Sequence, residues 1–462
     1  MTRLGDVCEK IGSGATPRGG KEAYKDAGIP IIRSQNIHDW VFQPDGLAFL
    51  DDEQAESLSN VEVRSNDVLL NITGDSVARA CIVPSERIPA RVNQHVAIVR
   101  AGKEINPTYL LASLQSKKTT LLSLASSGAT RNALTKRMIE NLDIDLPSRE
   151  MQDSIAQVLD SIQYKITLNN RLNDYLEQLC QSLFDRFDND ENNLFVKVSD
   201  IADVNPRRTL KKGEEALCVE MADLSTTGAF PTDWRTKAYN SGVKFVNGDT
   251  ILARITPCLE NGKAGYINFL EQDEVAFGST EYIVLTSKGE LPSEFFYFLA
   301  RNEDFISYAT AHMNGSSGRQ RVSGADVGNY EVRMPSEKQV SEFKEIAGKA
   351  MRVISASSIE SRKLAQSRDA LLPKLMSGEI DVSEVDLTQP TNNHLVEKSL
   401  RTIIDRYKRH ARSWQPTRPT ALTLLSIRFS RPTQSTYRPT LRSGGRLVGR
   451  LCRSMNPIYF NM

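Results

Sequence analysis

The chain has 462 residues, 40% of them hydrophobic, with 58 Lys and Arg against 57 Asp and Glu. That length suits two or three domains, and the composition excludes collagen-like and disulfide-rich architectures. The near-zero net charge hides a split, because residues 401–462 hold thirteen Lys and Arg and one acid, Asp405, leaving 45 bases and 56 acids in residues 1–400. The acidic body argues against a general polyanion binder, so any nucleic-acid surface on it must be a local basic patch.

Taken in chain order, the sequence reads as two copies of one plan, each a mixed α+β region followed by a long helix. Residues 1–147 carry β-type runs at 29–33 (IPIIR), 68–72 (VLLNI) and 96–100 (VAIVR), and a helical stretch at 107–125. Pro147 and Ser148 then announce a helix, with Ser148 as N-cap and Glu150 in the first turn. That helix is expected over 148–187. Apolar residues recur at 155, 159, 162, 166, 172, 176, 179 and 183, alternating steps of four and three except around Asn169, where two threes suggest a stammer. An acidic linker, DNDENN at 188–193, opens the span 188–197.

The second copy, 198–334, repeats the first. NDVLLNITG at 66–74 matches GDTILARIT at 248–256. NPTYLLASL at 106–114 matches LPSEFFYFL at 291–299. The Gly/Ser-rich stretch from 126 matches the one from 314. β-type runs fall at 218–221, 250–255 and 282–286. Ser336, with Glu337 after it, opens a second helix over 335–376. Its seam is Phe343, Ala347, Ala350, Ile354, Ser357, Ser361, Leu364, Arg368, Leu371 and Leu375, a strict 4-3 alternation with a polar middle. The expected fold is therefore α+β, two similar domains each followed by a long helix, the helices pairing as an antiparallel coiled coil. An end segment, 377–391, precedes a basic tail, 392–462, rich in Arg, Thr, Pro and Ser and without hydrophobic period, which is expected to be disordered.

Much chemistry is missing. No G-x-x-x-x-G-K-[ST] motif and no H-E-x-x-H or Cys/His cluster occurs, which speaks against a P-loop ATPase and a zinc centre. GSGATP at 12–17 begins like a dinucleotide fingerprint but breaks at the third glycine. Asn205-Pro206-Arg207-Arg208 fails as an amino-methyltransferase motif, and Asn456-Pro457-Ile458-Tyr459 lies in the odd tail. Cysteines at 8, 81, 180, 218, 258 and 452 have no pairing pattern and read as reduced thiols of a cytoplasmic protein. No run approaches the ~20 apolar residues of a membrane span, and MTRLGDVCEK has no apolar run typical of a signal peptide. No cofactor and no catalytic residue are expected.

Two similar domains held apart by long helices form a ruler. If each reads a short run of base pairs, helix length sets the gap between half-sites, and divergence between the copies makes the site asymmetric. Arg33 and Glu220 occupy corresponding places with opposite charge. Arg can donate to guanine, and Glu can accept from the cytosine amino group. The candidate DNA-contacting residues are Arg18, Lys21, Arg33, Arg131, Asn132, Lys136 and Arg137 in the first copy. In the second they are Arg207, Arg208, Lys211, Lys212, Arg319, Gln320 and Arg321. Each competes with the plain reading of a solvated surface residue. Trp40 and Trp234 read as packing residues, and Asn169 as a register-setting residue in the seam.

Over about residues 3–387 the sequence resembles the S subunits of type I restriction-modification enzymes. The resemblance rests on LGDV, IPIIRSQNI, NDVLLNITG, the SSGATRNAL and GSSGRQRV loops, and above all on LPSREMQDSIAQVLDSIQYKITLNNRLNDYLEQL and SRDALLPKLMSGEIDVSEV. It implies two target-recognition domains that read double-stranded DNA as a bipartite asymmetric site. It also implies partners, two methyltransferase subunits and the restriction subunits, which would bind methyl donor and ATP in place of this chain. The tail after 391 departs from the family and reads either as a DNA-binding extension or as a frameshift or readthrough product. The rival functions are a coiled-coil scaffold that never reads DNA and a stand-alone DNA methyltransferase.

Overall fold

The computed structural model describes residues 1–126, 132–316, 318–380 and 382; the basic tail 392–462 and residues 383–391 lie outside the described residues. The first half is built on two four-stranded sheets. One orders Cys8–Ser13, Val96–Ala101, Val68–Asn71 and Ala80–Ile82, all antiparallel. The other orders Ala48–Leu50, Ile29–Ile32, Ala90–Val92 and Glu62–Val63, with a parallel pair between Ile29–Ile32 and Ala90–Val92. The second half repeats both orders: Ala202–Val204, Tyr282–Ser287, Thr250–Ala253, Ala264–Tyr266, and Arg235–Ala238, Glu215–Val219, Ala276–Gly278, Val243–Phe245. Its parallel pair, Glu215–Val219 with Ala276–Gly278, stands in the matching place. Each half is closed by a ribbon joining its start to its end, Thr2–Arg3 with Asp143–Ile144 and Phe195–Lys197 with Glu331–Arg333.

The apolar runs form strands because alternate residues serve two cores. Val68 and Leu70 pack with Tyr109 and Leu110 of the helix layer. Leu69, between them, packs with Ile31 and Val92 of the second sheet. A strand buried on both faces carries no hydrophobic alternation, which is why VLLN is apolar at three of its positions.

The helical stretch expected over 107–125 is two helices, Pro107–Ser116 and Lys118–Ser126. Lys117 leaves helical geometry (φ −93°, ψ 14°). The break lets Gln115 and Lys118 both reach Asp39, on the turn before Trp40. The second half breaks likewise between Glu294–Ala300 and Glu303–Ala311, where Asn302 caps the second helix through Phe305 N at 3.0 Å.

The two long helices, Arg149–Asp188 and Glu337–Ser377, pack against each other. Ser148 and Ser336 cap them, accepting from Met151 N and Gln339 N. They run antiparallel, since Gln163 meets Arg368, Asn169 meets Glu360 and Arg186 meets Glu342. Each is about 60 Å long at 1.5 Å per residue. The stammer expected near Asn169 does not occur. The buried positions Ile166, Asn169, Asn173, Leu176, Cys180, Leu183 and Phe187 alternate three and four without interruption, and Leu172 is only half-buried beside the seam. The asparagine, not the leucine, occupies the seam because the facing helix offers hydroxyls there. Ser357 Oγ donates to Asn173 Oδ1, Asn173 Nδ2 donates to Ser358 Oγ at 3.1 Å, and Asn169 Nδ2 donates to Glu360 at 2.8 Å.

Each end of the helix pair is planted in one half. Phe184 packs on Phe295, and Phe343 on Phe295, Phe298 and Phe187, with ring centroids 4.9 to 6.1 Å apart. At the other end Ile155, Leu159, Leu372 and Leu375 belong to the first half's core. The last helix thus returns to the domain where the chain began. Leu375→Ala should therefore destabilise the first half, whose last residue, 147, lies 228 positions earlier in the chain, by roughly 2–5 kcal/mol. Hydrogen exchange would show protection falling in residues 68–114 and holding in 250–299; loss confined to the second half would contradict the packing.

Candidate nucleic-acid interface

In both halves the central antiparallel strands end at one rim, where loops distant in sequence converge. In the first half, the segment after Val68–Asn71 is joined by the loop before Leu134. Gly74 N donates to Asn132 O, Leu134 N to Ile72 O, and Thr73 bridges Ala133. The turn before Val96 adds Gln94 and His95, and the segment after Ser13 adds Thr16. Thr16 Oγ1 donates to Gln94 Oε1 (2.5 Å), Gln94 Nε2 lies 3.0 Å from His95 Nε2, and His95 Nδ1 lies 2.7 Å from Thr73 Oγ1. Gly14 lets this rim close. A Cβ there would sit 2.1 Å from the Val92 carbonyl oxygen, so Gly14 of GSGATP serves backbone approach.

The second half builds the same rim from different side chains. Thr256 N donates to Gln320 O, Val322 N to Arg254 O, and Ile255 bridges Arg321. Here Glu281 stands where His95 stood, each accepting through its carbonyl from the matching strand end, Arg254 N and Ile72 N. Arg321 spans Glu281 with two bonds, Nε to Oε2 at 2.8 Å and Nη2 to Oε1 at 2.7 Å. That guanidinium holds the Glu281 carboxyl below the usual range, and Glu281 in turn raises Arg321.

Arg33 and Glu220 do occupy matching backbone sites. Arg33 N donates to Asn36 Oδ1 (3.0 Å), and Glu220 N to Asp223 Oδ2 (2.8 Å). Their heads differ in availability. Arg33 Nη2 donates to Gly46 O at 2.6 Å. The Glu220 carboxylate is already held by Lys237, with Arg235 at 3.7 Å, and its pKa is lowered chiefly by that lysine. A reading of Glu220 as a free acceptor for cytosine therefore needs those cations to move.

The rims thus gather Arg33, Asn132, Arg319, Gln320 and Arg321. Arg131, in the Gly/Ser loop, lies outside the described residues. Lys136 and Arg137 open the short helix that leaves the first rim; both are exposed, and Lys136 pairs with Glu140 at 3.5 Å. Arg18 is exposed where its carbonyl accepts from Gln54, and Lys21 lies in the 3-10 turn Gly20–Ala23. Arg207, Lys211 and Lys212 are exposed at the other end of the second half, before the strand Glu215–Val219 whose far end delivers Glu220.

Arg208 needs correction. Its Nη2 donates to both carboxylate oxygens of Asp249 at 2.7 and 2.6 Å and to Thr286 Oγ1 at 3.0 Å, at the strand ends opposite the rim. The Asp249 side chain is 1% exposed. The first half makes the same buried pair from a different strand, Arg100 Nε to Asp67 Oδ1 at 2.7 Å and Nη2 to Oδ2 at 2.8 Å. A buried carboxylate needs a cation, so Arg208 is structural.

Sequence reasoning missed Thr16, Thr73, Gln94, His95, Arg254 and Glu281. Their signal was position: each abuts a strand end that the duplication aligns. The rims offer hydrogen-bond donors, acceptors and guanidinium groups. Among the described residues no group of His, Cys, Asp and Glu is arranged to hold a metal ion, and no helix is long and apolar enough to cross a membrane.

Residues 1–178 match the family model of the type I restriction modification DNA specificity domain. The chain is 29% identical over 147 residues to the EcoEI specificity subunit of Escherichia coli, covering 30% of this chain and 25% of that one. It is 28% identical over 128 residues to the EcoAI specificity subunit of the same organism, covering 26% and 22%. The chain thus spans a quarter or less of the length of these two relatives. It is 20% identical over 356 residues to the HindI specificity subunit of Haemophilus influenzae, covering 59% and 77%. Among solved structures it is similar to a type I restriction-modification S subunit from M. genitalium, with 14% identity and a TM-score of 0.49, over 81% of this chain and 95% of that one. Residues 1–178 are thus similar to the DNA specificity domain of type I restriction-modification systems, and parts of the chain are similar in sequence to type I specificity subunits.

Proposed function

We propose that this chain is the DNA-reading subunit of its restriction-modification complex and recognises a bipartite, asymmetric site in double-stranded DNA, one half-site at each rim. The observation that carries the reading is the rim built twice on one backbone plan with different side chains, Thr73, His95 and Ala133 against Ile255, Glu281 and Arg321. Equivalent places with unlike hydrogen-bonding groups are what two different base-pair runs require. A scaffold would have no use for the divergence. The helix pair holds the rims at a set separation. Methyl transfer and cleavage belong to partners: two methyltransferase subunits and the restriction subunits, which bind methyl donor and ATP. Arg33, Asn132, Arg319, Gln320 and Arg321 contact the DNA at the rims, with Arg131 beside them in sequence. Arg18, Lys21, Lys136 and Arg137 are flanking phosphate contacts, whereas Arg207, Lys211 and Lys212 stand at the other end of the second half and fall outside that set.

Exchanging residues 1–147 for the matching domain of a relative should change one half of the methylated sequence and leave the other intact. Methylation-site mapping of the reconstituted complex reads this out. Simultaneous change of both half-sites would sink the two-module reading, and methylation by the purified chain without partners would replace it with a stand-alone enzyme.

A further inference from the structure

The second rim contains an arginine whose side chain is aimed before any ligand arrives. A guanidinium has five N–H groups. In Arg321, Nε and one N–H of Nη2 go to Glu281, and one N–H of Nη1 goes to the Arg319 carbonyl at 3.0 Å. One N–H remains on each terminal nitrogen. The Arg321 backbone is held as well, by reciprocal bonds with Asn314 and the bridge to Ile255. Its side chain stays 39% exposed, so the free edge is available to a ligand.

We propose that Arg321 is a specificity-determining residue of the second half-site and reads a guanine, with Glu281 as its positioning residue; this rests on the DNA-reading function above. Two adjacent donors with no acceptor select an edge with two adjacent acceptors. In the major groove only guanine offers that, as N7 and O6, because adenine pairs N7 with a donor and cytosine presents its amino group. A phosphate also accepts two bonds, but it is an anion and would meet the Glu281 carboxylate behind the guanidinium. The neutralised pair favours a neutral base edge. Arg319, two residues away, is exposed and has no charged partner among the described residues, so it suits the phosphate. In the first rim the place of Arg321 is taken by Ala133 and that of Glu281 by His95, so this device belongs to one half-site.

The test is selection from a randomised double-stranded DNA library by the full chain assembled with its methyltransferase subunits. The wild type should select a guanine at one position of the second half-site. R321A and R321K should lose that choice, by roughly five- to a hundred-fold against the other bases. All other positions, including the whole first half-site, should persist and so report correct folding. E281Q should weaken the same single position and no other. R319A should lower affinity evenly across sequences and reduce the salt dependence by about one contact. The assignment is overturned if R321K and R321A keep the guanine and lose affinity evenly, or if the selected second half-site holds no guanine. A wild-type complex selecting nothing at either half-site would overturn the DNA-reading function itself.

Discussion

Inserting four residues after Tyr164 in the first long helix and four after Leu364 in the second should widen the gap between the two half-sites by one or two base pairs. Four residues add about 6 Å at 1.5 Å each, and B-DNA rises ~3.4 Å per base pair. The paired design follows from the antiparallel packing. These points fall between the Gln163–Arg368 bond and the layer of Lys165, Asn169, Asn173, Ser357 and Glu360, so these bonds survive on their own sides, while the exposed pair Arg171–Glu86 at 3.1 Å is parted. Trp40 and Trp234 also keep their arginine contacts, Arg368 on one side and Arg362 on the other. The half-sites should not change, because no rim residue has moved within its own domain. Inserting four residues into the first helix alone should instead slide Asn169 and Asn173 a turn past their partners and cost about 1–3 kcal/mol for each buried group left unpaired. Methylation-site mapping of the reconstituted complexes decides the matter. An unchanged gap in a folded, paired variant would mean that the helices are not the ruler.

Arg208→Ala should lower stability by roughly 3–5 kcal/mol, because it leaves the Asp249 carboxylate buried without a cation. Thr286 Oγ1 at 2.6 Å and Val246 N at 2.8 Å still donate to that carboxylate, which places the loss toward the lower figure. Asp67→Ala should do the same to the first half, stranding Arg100. Urea unfolding gives the stability, and DNA titration of the folded protein gives the affinity. The affinity of the folded fraction should stay within about two-fold, since a contact not made to phosphate carries no counterion-release term. A fall in affinity with unchanged unfolding would return Arg208 to the DNA-contacting set.

These two results probe what was unevenly legible in the amino-acid order. The strands at 68–71 and 250–253 were visible as apolar runs, because burial on both faces demands uninterrupted hydrophobicity. The caps Ser148 and Ser336 were visible because a cap acts on amides three residues away. The seam was misplaced at one point. Leu172 looks like a core residue and Asn173 does not, and only the facing Ser357 and Ser358 make the asparagine the better occupant. The break at Lys117 was hidden for a similar reason, since its benefit lies in Asp39, nearly eighty positions earlier.

The sequence by itself determined that the chain is one plan used twice, that each copy alternates strand-forming and helical segments, that two capped amphipathic helices follow them, and that ATPase and zinc motifs are missing. Those properties are local in sequence: period, cap and motif are read within a few residues. The tertiary structure alone decided which polar groups stand together. Arg208 and Arg321 are similar on paper, both arginines in basic clusters. One is spent on Asp249, 41 residues away, and the other is aimed by Glu281, 40 residues away. The physical reason is that a charge is assigned its role by the nearest opposite charge in space. In an antiparallel sheet whose neighbouring strands are far apart in sequence, that neighbour arrives on a strand that the order of residues does not place beside it.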